Sequence, residues 1–550
     1  MTATASAPPA TRPDPRRWKA LAVVLVGQLV ILVDATIVNV AVPSIESGLH
    51  ASYSSVEWVI SGYALSYGLL LVTGGRLGDL YGRRRLFLLG VAGFVAASAA
   101  CGLATSPAEL IAFRVAQGAM AALLQPQIIA TAQVSFAGHE RARAFALVGA
   151  VSGVATAIGP LAGGALIATH LTAQMWRPIF LVNVPVGVAT IVAGLVFLRE
   201  SRSPRDGLDL VGVALSSAAL FLVTFGLVQG QAAGWPWWIF ACLAGAAPAL
   251  AAFVAWEAAR VRRGKPCLIR LELFRSRSFS AGLAVGLLYF AGFTSLFFSL
   301  SLYLQLGLGY SALRAGLAIV PFSAASFVGS ASTSTPFIAR LGRRSLMIGL
   351  VAFLVGLGGL VALVHSDHQD PPDRQLAITL LVAGVGSGLV VAPLIGITLA
   401  GVPAKVAGGA AGVLSTGQRL GTALGIAAVG TVLFASLAGG APTAAAKSQP
   451  RLRAELRLAN LPAGATAEAT SRFERCFVAQ ARSSDPASIP PGCSHPSGST
   501  AVDAAFSSAS RSALEHDFSS GLIDATWINL AAMVATLGLV LGLPKRSAFP

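Results

Sequence analysis

Residues 75–86 read Gly75-Arg-Leu-Gly-Asp-Leu-Tyr-Gly-Arg-Arg-Arg-Leu86, a glycine-rich break holding one acid and four arginines. Apolar runs near 56–77 and 86–105 flank it, and each is long enough, at about 20 residues, to cross ~30 Å of hydrocarbon. Charges pinned between two such runs mark a tight turn at a membrane surface. A second turn, Gly342-Arg-Arg-Ser-Leu346, opens another apolar run in the same way. The two halves of the chain echo each other, which is the mark of a membrane protein built from repeated bundles.

Working outward, the same length criterion marks runs near 20–42, 108–132, 142–168, 178–198, 209–229, 236–256, 279–304, 314–337, 345–364, 375–398, 406–434 and 522–543, so fourteen in all. Composition agrees. The 550 residues are 55% hydrophobic and 11% charged, with a mean hydropathy of +0.72, too apolar to build a water-soluble surface. The formal charge of +16 falls in short clusters between the runs, and the positive-inside rule accounts for these without nucleic acid. The first run follows Arg12, Arg16, Arg17 and Lys19 and exceeds a signal-peptide core, so it reads as an uncleaved first helix.

With both termini cytoplasmic, the inside loops receive Arg83–Arg85, Arg141 and Arg143, Arg199–Arg205, Arg260–Arg277, Arg340–Arg344, Lys405 and Lys545–Arg546, while outside loops receive little more than Arg177, Arg314 and Arg374. One helix more or fewer before the middle would put the later clusters on the wrong side. The expected plan is an all-α polytopic protein: a tail 1–19, a six-helix bundle 20–200, an inserted pair with a basic loop 201–278, a second bundle 279–434, a long outer loop 435–521, the last span 522–543 and a tail 544–550. Within the outer loop, 452–461 and 467–482 read as short amphipathic helices. Cys476 and Cys493 share that loop, where an oxidising exterior allows a disulfide worth about 3 kcal/mol of local order; two free thiols are the alternative.

The motifs on this frame resemble the major facilitator superfamily, and within it the fourteen-span drug:proton antiporters. Gly75-x-Leu-x-Asp79-x-x-Gly82-Arg83-Arg84 is similar to the superfamily's signature loop, and Arg114-Val-Ala-Gln117-Gly118 to its intramembrane arginine motif. Asp34-Ala-Thr-Ile-Val-Asn39-Val-Ala-Val-Pro43 resembles the first-helix motif of drug exporters. Gly159-Pro160-Leu-Ala-Gly163-Gly164 resembles the antiporter motif, though Ala155 stands where its upstream glycine belongs. Trp176-Arg177, Asn183-Val-Pro185, Tyr303-Leu-Gln305 and Gln418-Arg419 extend the likeness over nearly the whole chain.

The resemblance implies two six-helix bundles plus two inserted helices, no cofactor beyond a proton gradient, and an alternating-access exporter of hydrophobic or cationic small molecules, monomeric in a bacterial plasma membrane. An ionisable residue deep in a span is a functional candidate in its own right. Asp34 and Arg114 stand at comparable depth and are expected to pair, with Asp34 trading a proton for cargo; a static structural pair is the rival assignment. Gly75, Asp79, Gly82, Arg83 and Arg84 are expected to latch the bundles on the cytoplasmic side, or only to hold the loop inside. Gly159, Pro160, Gly163 and Gly164 are expected to form a hinge packed across the bundle interface, or plain small-residue packing. Asn39, Tyr63, Gln117, Tyr303, Gln305, Gln418 and Arg419 are candidates for the cavity wall, with Tyr67 and Phe290 beside them.

Two other functions remain open at this stage. A dedicated exporter of one lipid or antibiotic fits the long outer loop. A membrane-bound enzyme or sensor lacks support: no catalytic constellation or metal-ligand spacing lies in the spans, and His365, Asp367, His368 and Asp370 have the spacing of a solvated turn.

Overall fold

The computed structural model describes residues 14–51, 53–169, 174–202, 207–335, 338, 341–366, 372–482, 493 and 500–543. Arg12, Arg205, Arg340, Asp367, His368, Asp370, Lys545 and Arg546 lie outside the described residues, as do the first thirteen residues and the tail 544–550. In hydrocarbon every backbone N–H and C=O must be bonded within the protein, and the chain answers with helices. Among the described residues, fourteen helices are long and apolar enough to cross a membrane.

The first bundle comprises α1 (Arg17–Leu49), α2 (Tyr53–Tyr81), α3 (Arg83–Leu103), α4 (Pro107–Ser135), α5 (Gly138–Ala168) and α6 (Pro178–Phe197), the last interrupted after Leu181. The inserted pair is α7 (Leu210–Ala232) and α8 (Trp237–Arg262). The second bundle begins with α9 (Arg277–Leu302), α10 (Ala312–Ser332), α11 (Arg343–Ser366), α12 (Asp373–Leu399) and α13 (Ala407–Leu458). A non-spanning α14 (Ala463–Ala481) precedes the last span, α15 (Thr500–Val540). Sequence sets the boundaries locally: Ser106 caps α4 by accepting from the Glu109 N–H at 3.3 Å, and Glu109 returns a bond from the Thr105 N–H at 2.9 Å. Glu109 is thereby a capping residue.

The inserted pair stands at the periphery. α7 touches α2 and α13 while α8 leans chiefly on α7, and only 17% of the α8 span is buried. Trp237, Trp238 and Phe240 are exposed at one end of α8, where amphipathic rings sit well at the level of lipid headgroups. The following basic loop is anchored rather than free. Glu257 is fully buried and accepts from the Leu268 and Ile269 N–H groups at 3.1 and 3.4 Å. Asp209 holds Arg260 at 3.0 Å and the Trp256 indole at 2.9 Å. Leu268 and Ile269 then plug a core shared with Phe136, Leu399, Val402 and Val406. Burial pushes the thiol of Cys267 in this loop above its ordinary value.

The outer region departs from the expected loop. α13 is 52 residues long, about 78 Å at 1.5 Å per residue, more than twice what a span of ~30 Å needs, so it continues beyond the membrane. With α14 and the early part of α15 it forms a three-helix unit whose core is Leu452, Leu456, Phe473, Val502, Ala505 and Ala509. Alanine-rich sequence that reads as linker by hydropathy has the strongest intrinsic helix preference. Packing of Ala441, Ala444 and Ala445 carries the helix through Pro442 and Pro450.

Cys476 of α14 is disulfide-bonded to Cys493. Replacing both by serine is expected to speed amide exchange in α14 by up to the roughly 3 kcal/mol of order such a loop contributes, leaving α1–α12 unchanged. Equal exchange in α14 with and without the bond would show that the helix packing suffices.

Candidate functional site

α1, α4 and α6 each deliver one or two polar side chains to a single point within the first bundle. The Arg114 guanidinium donates to Asp34 Oδ2 at 2.7 Å. Gln117 and Asn183 donate to Asp34 Oδ1 at 3.0 and 2.7 Å. Arg114 also donates to Gln117 Oε1 at 2.6 Å and to the Val59 carbonyl at 3.1 Å. The Tyr63 ring lies 4.1 Å below the guanidinium, and its hydroxyl donates to the Ile31 carbonyl at 3.3 Å. Ser98 receives a second bond from Asn183 at 3.0 Å. Asp34 is 0% and Arg114 1% exposed.

The pairing drawn from depth alone is present. Three donors surround the carboxylate, as a buried charge requires, and a cationic ligand finds no opening to it in this conformation. Asn183 is the member that sequence reasoning did not assign to the site. Its signal was available: an amide inside an apolar run, here six residues into the span 178–197, has to bond something.

The second constellation lies where the basic loops gather. Asp79 accepts from the N–H groups of Gly408 and Gly409 at 3.1 and 2.8 Å and from Arg83 at 2.5 Å. Arg83 also donates to the Ala404 carbonyl at 2.8 Å and to Ser201 Oγ at 3.2 Å. The residue before α13 is Val406, whose side chain cannot cap a helix. Asp79, from the other bundle, does so instead, placing a negative charge on the positive end of the helix dipole. Gly75 makes this possible, because its backbone packs directly on that of Gly408. Gly82 has φ 112°, and a side chain there would collide with Glu200, which holds the N–H groups of Arg84 and Arg85. Arg84 itself donates to the Leu195 carbonyl at 2.8 Å. On the same side Gln133 of α4 donates to the Leu399 carbonyl of α12 at 2.8 Å.

The α5 motif divides between the two bundles. Gly159 and Gly163 pack against Thr36 and Ile37 of α1, inside their own bundle, while Pro160 and Gly164 face the other bundle in ordinary contact, against Gly316 and Leu313 of α10. α5 runs unbroken through Pro160. The close approach across the interface is made by Gly149 and Gly153 against Ser330 and Ser326 of α10, with Ser330 donating to the Ala146 carbonyl at 2.7 Å. The interface follows one stripe of α5 through 149, 153, 160 and 164, so half of the motif lies on it and Gly159 and Gly163 turn to α1.

The remaining candidates separate. Arg419 donates to the Tyr67 hydroxyl at 3.2 Å and lies 4.5 Å from its ring, bridging the bundles. Gln418 is half-buried beside it. Tyr303 is fully buried in the second bundle's core, in a wide turn over Tyr303–Gly307, so it lines no cavity. Gln305 is exposed and bonded to Ser301 Oγ at 2.8 Å. Asn39 is exposed on α1 and takes no part in the cluster around Asp34. Phe290 stacks edge-on against Tyr289 and Phe293. No group of three or more potential metal-ligating side chains occurs among the described residues.

A family model described as Major Facilitator Superfamily matches residues 24–426. The chain is 36% identical over 545 residues to the probable actinorhodin transporter of Streptomyces coelicolor, covering 99% of this chain and 94% of the relative. It is 35% identical over 427 residues to the tetracenomycin C resistance and export protein of Streptomyces glaucescens, covering 77% of each. Among solved structures it is similar to the proton:xylose symporter XylE, with a TM-score of 0.53 at 14% identity over 74% of this chain and 86% of that one. The human organic anion transporter MFSD10 gives the same TM-score at 18% identity, over 76% and 94%. At these identities the two structures speak for the fold alone.

Proposed function

The chain belongs to the major facilitator superfamily and is a multi-pass membrane transporter, not an enzyme; on that premise we propose that it exports hydrophobic small molecules in exchange for protons. The observation that supports this most is the buried cluster in which Asp34 meets Arg114, Gln117 and Asn183. Protonating Asp34 turns one of its oxygens from acceptor to donor and removes its charge. One of the three donors then loses its partner, and Arg114 is freed to move with α4. That is a local event able to bias a two-state rocking of the bundles.

We assign the basic side to the cytoplasm of a bacterial cell, because arginine-rich loops are retained there. The disulfide on the opposite side fits an oxidising exterior. The Asp79 cap on α13 then closes the cytoplasmic face, and the conformation described is the one closed to the inside. Release of that cap and of the Gln133–Leu399 bond is required before cargo enters from the cytoplasm.

A narrower reading, export of one natural product, is favoured by the extent of the likeness to the probable actinorhodin transporter, which runs through the outer three-helix unit. Proteoliposomes separate transport from leak. With an imposed proton gradient, a panel of hydrophobic dyes should accumulate in vesicles of opposite sidedness, and an uncoupler should abolish accumulation. Transport that persists at full rate after the gradient is dissipated would remove the antiport.

A further inference from the structure

Arg419 stands twelve residues beyond Ala407, about 18 Å along α13 from its basic end, which puts a permanent charge near the middle of the hydrocarbon. Among the described residues no carboxylate reaches it: no ion pair includes it, and its contacts are the hydroxyl and ring of Tyr67. Asp34, the acid of the neighbouring cluster, is fully buried and already holds three donors.

More donors gather on the same stripe. Gly408 and Gly412 meet Gly75 and Leu71 of α2, and steps of seven, eight and eleven residues from Gly408 bring Ser415, Thr416 and Arg419 onto that face. The opposite face is spent on α9, where Gly417, Gly421 and Gly425 pack against Leu283, Leu287 and Ala291. Ser415 and Thr416 are 3% and 7% exposed, and their hydroxyls, with the Gln418 amide nitrogen, have no hydrogen-bond partner among the described residues. Buried donors left unmatched are costly, and beside them the partly buried Arg419 guanidinium has a neutral hydroxyl and ring but no anion. Tyr67 and Tyr63, with ring centres 5.8 Å apart, add a flat aromatic wall.

We infer that Arg419, Ser415, Thr416 and Tyr67 form an anion-holding subsite between the bundles, and that the exported compounds are aromatic acids, ring systems carrying a carboxylate or an ionised phenol. This rests on the export reading above and replaces the cationic cargo expected from Asp34. The guanidinium takes the anion, the hydroxyls complete its hydrogen bonds, and the tyrosines stack on the ring. Arg114 is closed to cargo by Asp34, so Arg419 is the positive group that cargo meets.

Binding to the purified full-length chain in detergent tests this without a proton gradient. Three probes share one ring: pyrenebutyric acid, its amide and pyrenebutylamine, read by energy transfer from tryptophan. The acid should bind at least about tenfold more tightly than the amine, the factor one charge-assisted hydrogen bond supplies. Arg419→Gln should remove that preference while leaving the amide within about twofold, and Arg419→Lys, which keeps the charge, should retain most of it. Equal binding of the three probes to the wild type would overturn the assignment even if no variant folds, and so would a uniform loss of all three in Arg419→Gln. Acid-selective binding without gradient-driven transport would leave the subsite standing and remove the antiport.

Discussion

Asp34→Asn is expected to abolish gradient-driven transport and to destabilise the protein by about 3 kcal/mol. The variant leaves the Arg114 charge, 1% exposed, facing only neutral acceptors, and breaking one partner of a buried ion pair costs about 3–5 kcal/mol; the retained amide oxygen places the loss at the lower end. A stability loss alone would fit a static ion pair, so the second variant decides. Asp34→Asn combined with Arg114→Gln removes both charges, and most of the thermal stability should return while transport does not. Thermal unfolding of detergent-solubilised protein and dye uptake by proteoliposomes supply the two readouts. Recovery of gradient-driven uptake in the double variant would reduce the pair to scaffolding.

The architecture was legible because hydrocarbon leaves few choices. Length and apolarity mark spans, and alternating basic clusters fix their number; fourteen runs became fourteen helices. Depth also carried information, since counting residues from helix ends was enough to bring Asp34 and Arg114 together. Asn183 was missed because the run 178–198 was read for apolarity, and an uncharged amide barely lowers it. The Asp209–Arg260 and Glu257 contacts that anchor the basic loop were hidden for a different reason. Asp209 and Arg260 are 51 positions apart in sequence, Glu257 bonds backbone N–H groups 11 and 12 residues on, and charge at a membrane surface reads as solvated by default.

Two kinds of error came from treating motifs and hydropathy as local. Gly159 and Gly163 stand in a motif associated with the bundle interface, yet side-chain direction on α5 turns them toward α1, and rotation about a helix axis is not visible in spacing alone. The segment 435–521 read as a loop with two short helices because its small and charged residues interrupt any long apolar run; the helix expected at 467–482 is α14, but the continuation of α13 to Leu458 and the early start of α15 were not foreseen. Helix preference, which hydropathy ignores, and the small core around Leu452 and Phe473 decide its structure. Tyr303 shows the same limit: an aromatic residue near a span end serves a packed core as readily as a cavity.

The conformational equilibrium itself is the target of the last expectation: Asp79→Ala should shift it about tenfold to a hundredfold toward opening on the basic side. Asp79 is at once helix cap, dipole partner and ion-pair acceptor; the first two roles join opposite bundles through charge-assisted bonds from Gly408 and Gly409, and the third, within the first bundle, aims Arg83 at the Ala404 carbonyl. Losing a cap costs about 0.5–2 kcal/mol and a charge-assisted bond about 1.5–3, while Arg83 keeps the Ala404 carbonyl and so limits the loss. Since 1.4 kcal/mol is a factor of ten in a population ratio, the face now held closed becomes substantially open. Spin labels at Tyr81, exposed at the end of α2, and at Lys405, exposed just before α13, report the separation by pulsed electron resonance, and Asp79→Ala should add a longer distance that the parent protein populates little. Asp79→Asn keeps one oxygen for the Gly408 and Gly409 N–H groups and should fall between. Identical distance distributions in Asp79→Ala and the parent would mean that the close backbone packing of Gly75 on Gly408 holds the face shut unaided, and the carboxylate would lose its role as the latch.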